Sequence, residues 1–139
     1  MKLSVKSDYA ARAVFGLARH YPIGEVMRIE QLATGETIPP NYLVQILIEL
    51  KAHGIVRSVR GKQGGYLLAR PPAEISLGDV LRAVHGRVFD TPALSDSNCP
   101  AELRRAWERI QNAVDTAANS TTFQELLEES TEKEKMYYI

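Results

Sequence analysis

The chain has 139 residues, with 17 Lys/Arg balanced by 17 Asp/Glu and one cysteine, Cys99. That length holds one domain with a modest core and an appended arm. The single cysteine excludes an internal disulfide and a thiol-rich metal site within one subunit; no apolar run reaches a membrane span, and Met1 to Asp8 lack the apolar stretch of a signal peptide, so a cytoplasmic protein without metal, cofactor or membrane partner is expected. The zero net charge is divided unevenly: residues 1–70 carry ten Lys/Arg against five Asp/Glu, and residues 71–139 carry seven against twelve. A basic half suits a polyanion and an acidic half repels one.

Ser7 is a candidate N-cap for a first helix, with Asp8 in its first turn. Ala10, Ala13, Val14, Leu17 and Ala18 give it one apolar stripe, and Tyr21-Pro22 ends it. Ile29 to Thr34 reads as a short second helix stopped by Gly35. Thr37-Ile38-Pro39-Pro40 is a turn into a third helix, with Pro40 at its first position. Leu43, Ile46, Leu47 and Leu50 form its inner face, and Gly54 closes it. Two β-prone runs follow, Ile55 to Arg60 and Tyr66 to Arg70. Between them Gly61, Gly64 and Gly65 are expected to supply positive φ at a hairpin tip.

Pro71-Pro72 breaks the chain, and Ser76-Leu-Gly-Asp79 is a capping box for a fourth helix with inner residues Leu77, Val80, Leu81 and Val84, ending at Gly86. Residues 87–98 read as a loop. A long helix starts at Pro100, with Leu103, Trp107, Ile110, Val114 and Ala117 spaced 4, 3, 4, 3 as in a two-stranded coiled-coil seam. Thr122-Phe-Gln-Glu125 opens a last short helix with Leu126 and Leu127. The charged tail beyond it is expected to fray, apart from its final aromatic residues.

The expected fold is therefore mainly α with a small β-hairpin: a winged helix-turn-helix DNA-binding domain over 1–86, a sensor-type loop over 87–99, and a dimerisation helix, short helix and tail over 100–139. Duplex DNA is held by charge and read by groups that match base edges. Asn41, Tyr42 and Gln45 lie at or near the N-terminal turn of the third helix, the part of a recognition helix that reads bases. Gln45 can pair bidentately with adenine, and Asn41 and Tyr42 can bond phosphates. Arg60, beside Gly61, suits a narrow minor groove, while Arg57 and Lys62 add phosphate charge. An enzyme is not expected, since the chain has no Ser-His-Asp set, no phosphate-binding Gly-Lys-Ser/Thr loop and no metal-ligand pair at helical spacing. A winged-helix protein-interaction module without DNA binding is the alternative.

Ser7-x-Tyr9-Ala10, Asn41-Tyr42-Leu43-x-Gln45-Ile46-Leu47, Gly54-Ile55-Val56-x-Ser58-Val59-Arg60-Gly61 and Gly64-Gly65-Tyr66-Leu67-Leu68 together resemble the Rrf2 family of bacterial transcription regulators, over nearly the whole chain to about Leu127. The resemblance implies a homodimer on a palindromic operator, with recognition helices in major grooves and wing arginines in minor grooves. Cluster-binding members of that family carry three cysteines in the loop before the long helix. In some members an acidic residue near the start of the partner's first helix adds a ligand, a position matched here by Asp8. This loop holds only Cys99, so no iron–sulfur cluster is expected. Cys99 is expected at the N-cap of the long helix, where the helix dipole, with Arg104 and Arg105 a turn further on, favours thiolate. A redox-sensitive thiol and a leftover loop cysteine are both consistent with this. A small-molecule effector between arm and core, or a protein partner, is equally open.

Overall fold

The computed structural model describes residues 2–137. Helix α1 runs Val5–His20, followed by a 3-10 turn at Tyr21–Ile23; α2 is Ile29–Glu36 and α3 is Pro40–Ala52. Strands β1 (Val56–Val59) and β2 (Gly65–Leu68) pair antiparallel in the register Val56↔Leu68 to Val59↔Gly65. Then come α4 (Leu77–Val84), a 3-10 turn at Pro92–Leu94, α5 (Ala101–Ser120) and α6 (Phe123–Tyr137). The architecture is the winged helix-turn-helix with a long C-terminal helix.

Local chemistry accounts for most boundaries. The capping box of α4 forms in full: the Asp79 amide donates to Ser76 Oγ at 3.1 Å, and the Ser76 amide donates to Asp79 Oδ2 at 3.0 Å. Burial opposes ionisation of Asp79. The Ser76 amide, the Arg82 guanidinium, the Ser76 hydroxyl and Arg70 outweigh it and hold the carboxyl below its ordinary range.

Several boundaries differ from the sequence reading. Helix α1 starts earlier, because Ser4 rather than Ser7 is its N-cap: Ser4 Oγ accepts the Ser7 amide at 3.2 Å. Ser7 is instead buried, its hydroxyl 3.1 Å from that of Ser4. Helix α2 runs through Gly35 to Glu36 and stops on Thr37, a non-glycine residue at φ 56°. The Ile38 amide donates to Ala33 O at 2.9 Å, and burial of Ile38 offsets the strain at Thr37.

The largest difference is α6, which continues as helix through the charged segment expected to fray. Glu, Lys and Met are good helix formers, and the helix is anchored at its start by Phe123, which is 1% exposed, with Leu126 and Leu127 packed against the core. Tyr138 and Ile139 lie outside the described residues.

One core cluster serves the described chain. Ala10, Val14 and Leu17 of α1 meet Leu32 of α2, Leu43, Ile46, Leu47 and Leu50 of α3, Val56 and Leu68 of the hairpin, Val80 of α4 and Phe123 of α6. An isolated bridge between Ser76 and Thr122 pins α6 to the start of α4, with the Leu77 amide on Thr121 O at 2.8 Å and the Phe123 amide on Ile75 O at 3.0 Å. Helix α6 thus leaves the arm and returns to the domain of α1.

Candidate nucleic-acid interface

Helix α3 is amphipathic in the simplest way. Its inner residues Leu43, Ile46, Leu47 and Leu50 are fully buried, so Asn41, Val44, Gln45 and Ile48, at i, i+3, i+4 and i+7, form the outer stripe, and all four are exposed. Tyr42 stands at the edge of this face. Its ring meets Tyr9 of α1 edge-on, with centroids 5.5 Å apart, and remains 47% exposed.

Lys6, Asn41, Tyr42 and Gln45 line one shallow depression of about 320 Å³. Sequence reasoning missed Lys6, which is 43 positions from Glu49 yet bonded to it at 2.6 Å. That pair fixes α1 against α3 and neutralises the only carboxylate on α3. Arg12 lies over Tyr9 at 5.7 Å and pairs with Asp8 at 2.9 Å.

The wing is fixed along its length. Lys51 of α3 donates to Ser58 Oγ of β1 at 2.8 Å, one strand pair from the tip. Beside α2, Met27 and Tyr66 exchange backbone bonds of 2.9 and 2.7 Å, adding a one-residue third strand. At the tip, Arg28 donates to Lys62 O at 2.9 Å. Arg57, Arg60 and Lys62 are exposed, and among the described residues none joins an ion pair.

Two of the three tip glycines have the expected positive φ, Gly61 at 105° and Gly65 at 156°; Gly64 does not. Gly64 is needed for space: a Cβ there would lie 2.3 Å from Val59 O. The same close approach lets the Gly64 amide donate to Gly61 O at 3.0 Å and close the turn.

Cys99 is not the N-cap of α5. Pro100 holds that position, and Cys99 precedes it, half-buried, its thiol 3.6 Å from Pro100 O. Arg104 donates to the carbonyls of Cys99 and Asp96, so its charge is spent on the backbone of the turn. Asp8 lies on another face, lining a groove of about 380 Å³ with Leu3, Val5, Leu77 and Leu81. No group of three or more His, Cys, Asp or Glu residues among those described is placed to hold a metal ion.

No residue of α5 is buried. Leu103 and Ile110 are 47% and 44% exposed; Trp107 and Val114 are half-buried. The chain's own loop covers part of Trp107, whose ring lies 6.2 Å from that of Phe89, while Gln111 donates to Phe89 O at 3.3 Å.

A helix-turn-helix with a basic wing and an uncharged outer stripe defines a DNA-binding transcription regulator. Residues 3–129 match the family described as "Rrf2: Iron-dependent Transcriptional regulator", and the chain belongs to that family. It is 32% identical to the HTH-type transcriptional regulator CymR of Bacillus subtilis, over the full length of both chains. Its structure is similar to that of T. potens IscR, with TM-score 0.79, 32% identity and coverage of 99% of this chain and 97% of that one. It is equally similar to CymR, described as the global cysteine regulator of B. subtilis, with TM-score 0.79, 29% identity and coverage of 91% and 95%. CymR is named as a transcriptional regulator. No helix of the described residues is long and apolar enough to cross a membrane.

The family description names iron. This chain offers one cysteine, the described residues of the protomer hold no group of three or more His, Cys, Asp or Glu, and an iron–sulfur cluster needs mostly thiolate ligands. The donor set does not fit a cluster.

Proposed function

We propose that the chain is a homodimeric, sequence-specific repressor of transcription that binds a palindromic operator. The observation that carries this reading is the wing tip. Arg60 and Lys62 stand exposed and free of ion pairs among the described residues, on a turn held by Gly64 and by Arg28, next to an α3 whose outer stripe is uncharged. In this reading Gln45 contacts base edges, Asn41 and Tyr42 contact phosphates or base edges near the start of α3, and the wing (Arg57, Arg60, Gly61, Lys62) follows the adjacent minor groove and its phosphates.

The DNA-contacting unit lies within residues 1–86. The exposed face of α5 (Leu103, Ile110, with Trp107 and Val114) pairs with a second copy, and α6 ties the arm back to the core. Pairing sets two recognition helices roughly 34 Å apart, on successive major grooves. An effector, redox or small-molecule, acts through the loop over 87–99 that carries Cys99, and Asp8 borders the groove facing α4.

The test is duplex binding as a function of salt. A phosphate-held complex loses affinity steeply as salt rises, and Arg60→Ala weakens it at fixed salt. Salt-independent binding, or no binding to any duplex, refutes the reading in favour of a protein-interaction module.

A further inference from the structure

Val44 and Ile48 are anomalous. Both are large apolar residues on α3, 45% and 54% exposed, and neither packs against the core cluster. They flank Gln45 on the outer stripe that begins with Asn41. Exposed apolar side chains are individually ordinary, but two on successive turns of a helix, with a base-reading amide between them, form a patch.

Two residues are far too small an area for a protein partner, whose interface covers roughly 800 Å² per side. The surroundings are cationic: Lys6 cancels the one carboxylate of α3, which leaves Lys51 at the end of the helix and Arg57, Arg60 and Lys62 of the wing without ion pairs among the described residues. The major groove of DNA presents one apolar group, the 5-methyl of thymine, beside the donor and acceptor edge of adenine that a glutamine amide matches.

We propose that Val44 and Ile48 are specificity residues that pack on thymine methyl groups while Gln45 reads an adjacent adenine, so that each operator half-site carries A·T pairs where α3 enters. This rests on the DNA-binding reading above and names what α3 recognises.

The experiment starts from duplexes selected by the full chain from a random pool. Each thymine of the half-site is replaced singly by deoxyuridine, which removes the methyl and preserves the hydrogen-bonding edge. At one or two positions the wild-type chain loses about fourfold in affinity, the transfer value of one buried methyl-sized group. Val44→Ala or Ile48→Ala binds thymine and deoxyuridine duplexes equally at its own position, while Arg60→Ala, weaker on both, keeps the wild-type ratio. Both α3 residues are exposed, so both variants retain the fold; circular dichroism checks this. Duplex binding indifferent to every methyl, or an unchanged ratio in both α3 variants, overturns this proposal alone. Absence of salt-dependent duplex binding overturns it together with the DNA reading.

Discussion

Gly64→Ala isolates the geometry of the wing from its charge. The new Cβ would lie 2.3 Å from Val59 O, 2.8 Å from Gly61 O and 2.9 Å from the Arg60 carbonyl carbon. All three are backbone atoms, so no side chain can swing aside. The turn must open, which breaks the 3.0 Å bond from the Gly64 amide to Gly61 O and the 2.9 Å bond from Arg28 to Lys62 O. At about 1 kcal/mol net per hydrogen bond, the loss is about 2 kcal/mol. For a chain of this size that lowers Tm by roughly 6–10 °C and leaves the cooperative fold intact, because the core does not include the tip.

The effect on DNA is larger than this stability loss suggests. Arg60 and Lys62 keep their charges but lose their positions, and each lost phosphate contact reduces the log–log salt slope by about 0.9. Lys62 is the phosphate contact at the tip, so a slope about 1 unit shallower, with weaker binding at low salt, is the expected outcome in a fluorescence-anisotropy titration across salt concentrations. A variant with wild-type slope and affinity refutes the claim that the Gly64 turn holds the wing cations in register.

Ile110→Glu places a charge on the exposed face of α5 without disturbing the core; sedimentation at low concentration should show monomer, and a persisting dimer puts the interface elsewhere. Ser76→Ala removes the oxygen that accepts the Asp79 amide and should cost about 1 kcal/mol in urea unfolding. Asp79 is held below its ordinary range in the folded state, so its stabilisation is complete above the unfolded value and is lost as pH falls through the folded one. The stability gap between wild type and Asp79→Asn should therefore shrink on acidification, and a gap constant with pH contradicts the ionised network with Arg82 and Arg70. Leu47→Ala, at a fully buried position of α3, should destabilise by about 2–5 kcal/mol in the same assay.

The readings that held share one property: the bonds involved join residues a few positions apart. The inner face of α3 follows from period alone. The Ser76–Asp79 box and the Gly54 stop are closed within one turn. The hairpin follows from two β-prone runs on either side of glycines. Even the failures at this level are narrow. Ser4 and Ser7 are both capping residues, and the buried environment of Ser7 selects Ser4 as the cap. Gly64 is indispensable as expected, but because of the Val59 carbonyl and not because of its own φ.

Several features required the assembled molecule. Lys6 reaches α3 across 43 positions, and no local pattern places it there. The charged stretch of α6 becomes helix because Phe123 docks in a core built by α1, α3 and α4, which supplies the nucleation that the segment lacks alone. Trp107 fits a seam by spacing, yet Phe89 from the preceding loop covers part of it. Cys99 loses the helix N-cap to Pro100, and Arg104 turns its charge on carbonyl groups. Val44 and Ile48 could be counted on the outer stripe from the sequence. That they stay about half exposed, outside the core cluster, depends on where every other element lies. The sequence by itself determined the elements and the winged plan, because helix period, caps and turns are short-range. Exposure, pairing across distance and the composition of the outer face of α3 were decided only by the tertiary structure, because they depend on which surfaces the fold leaves without a partner.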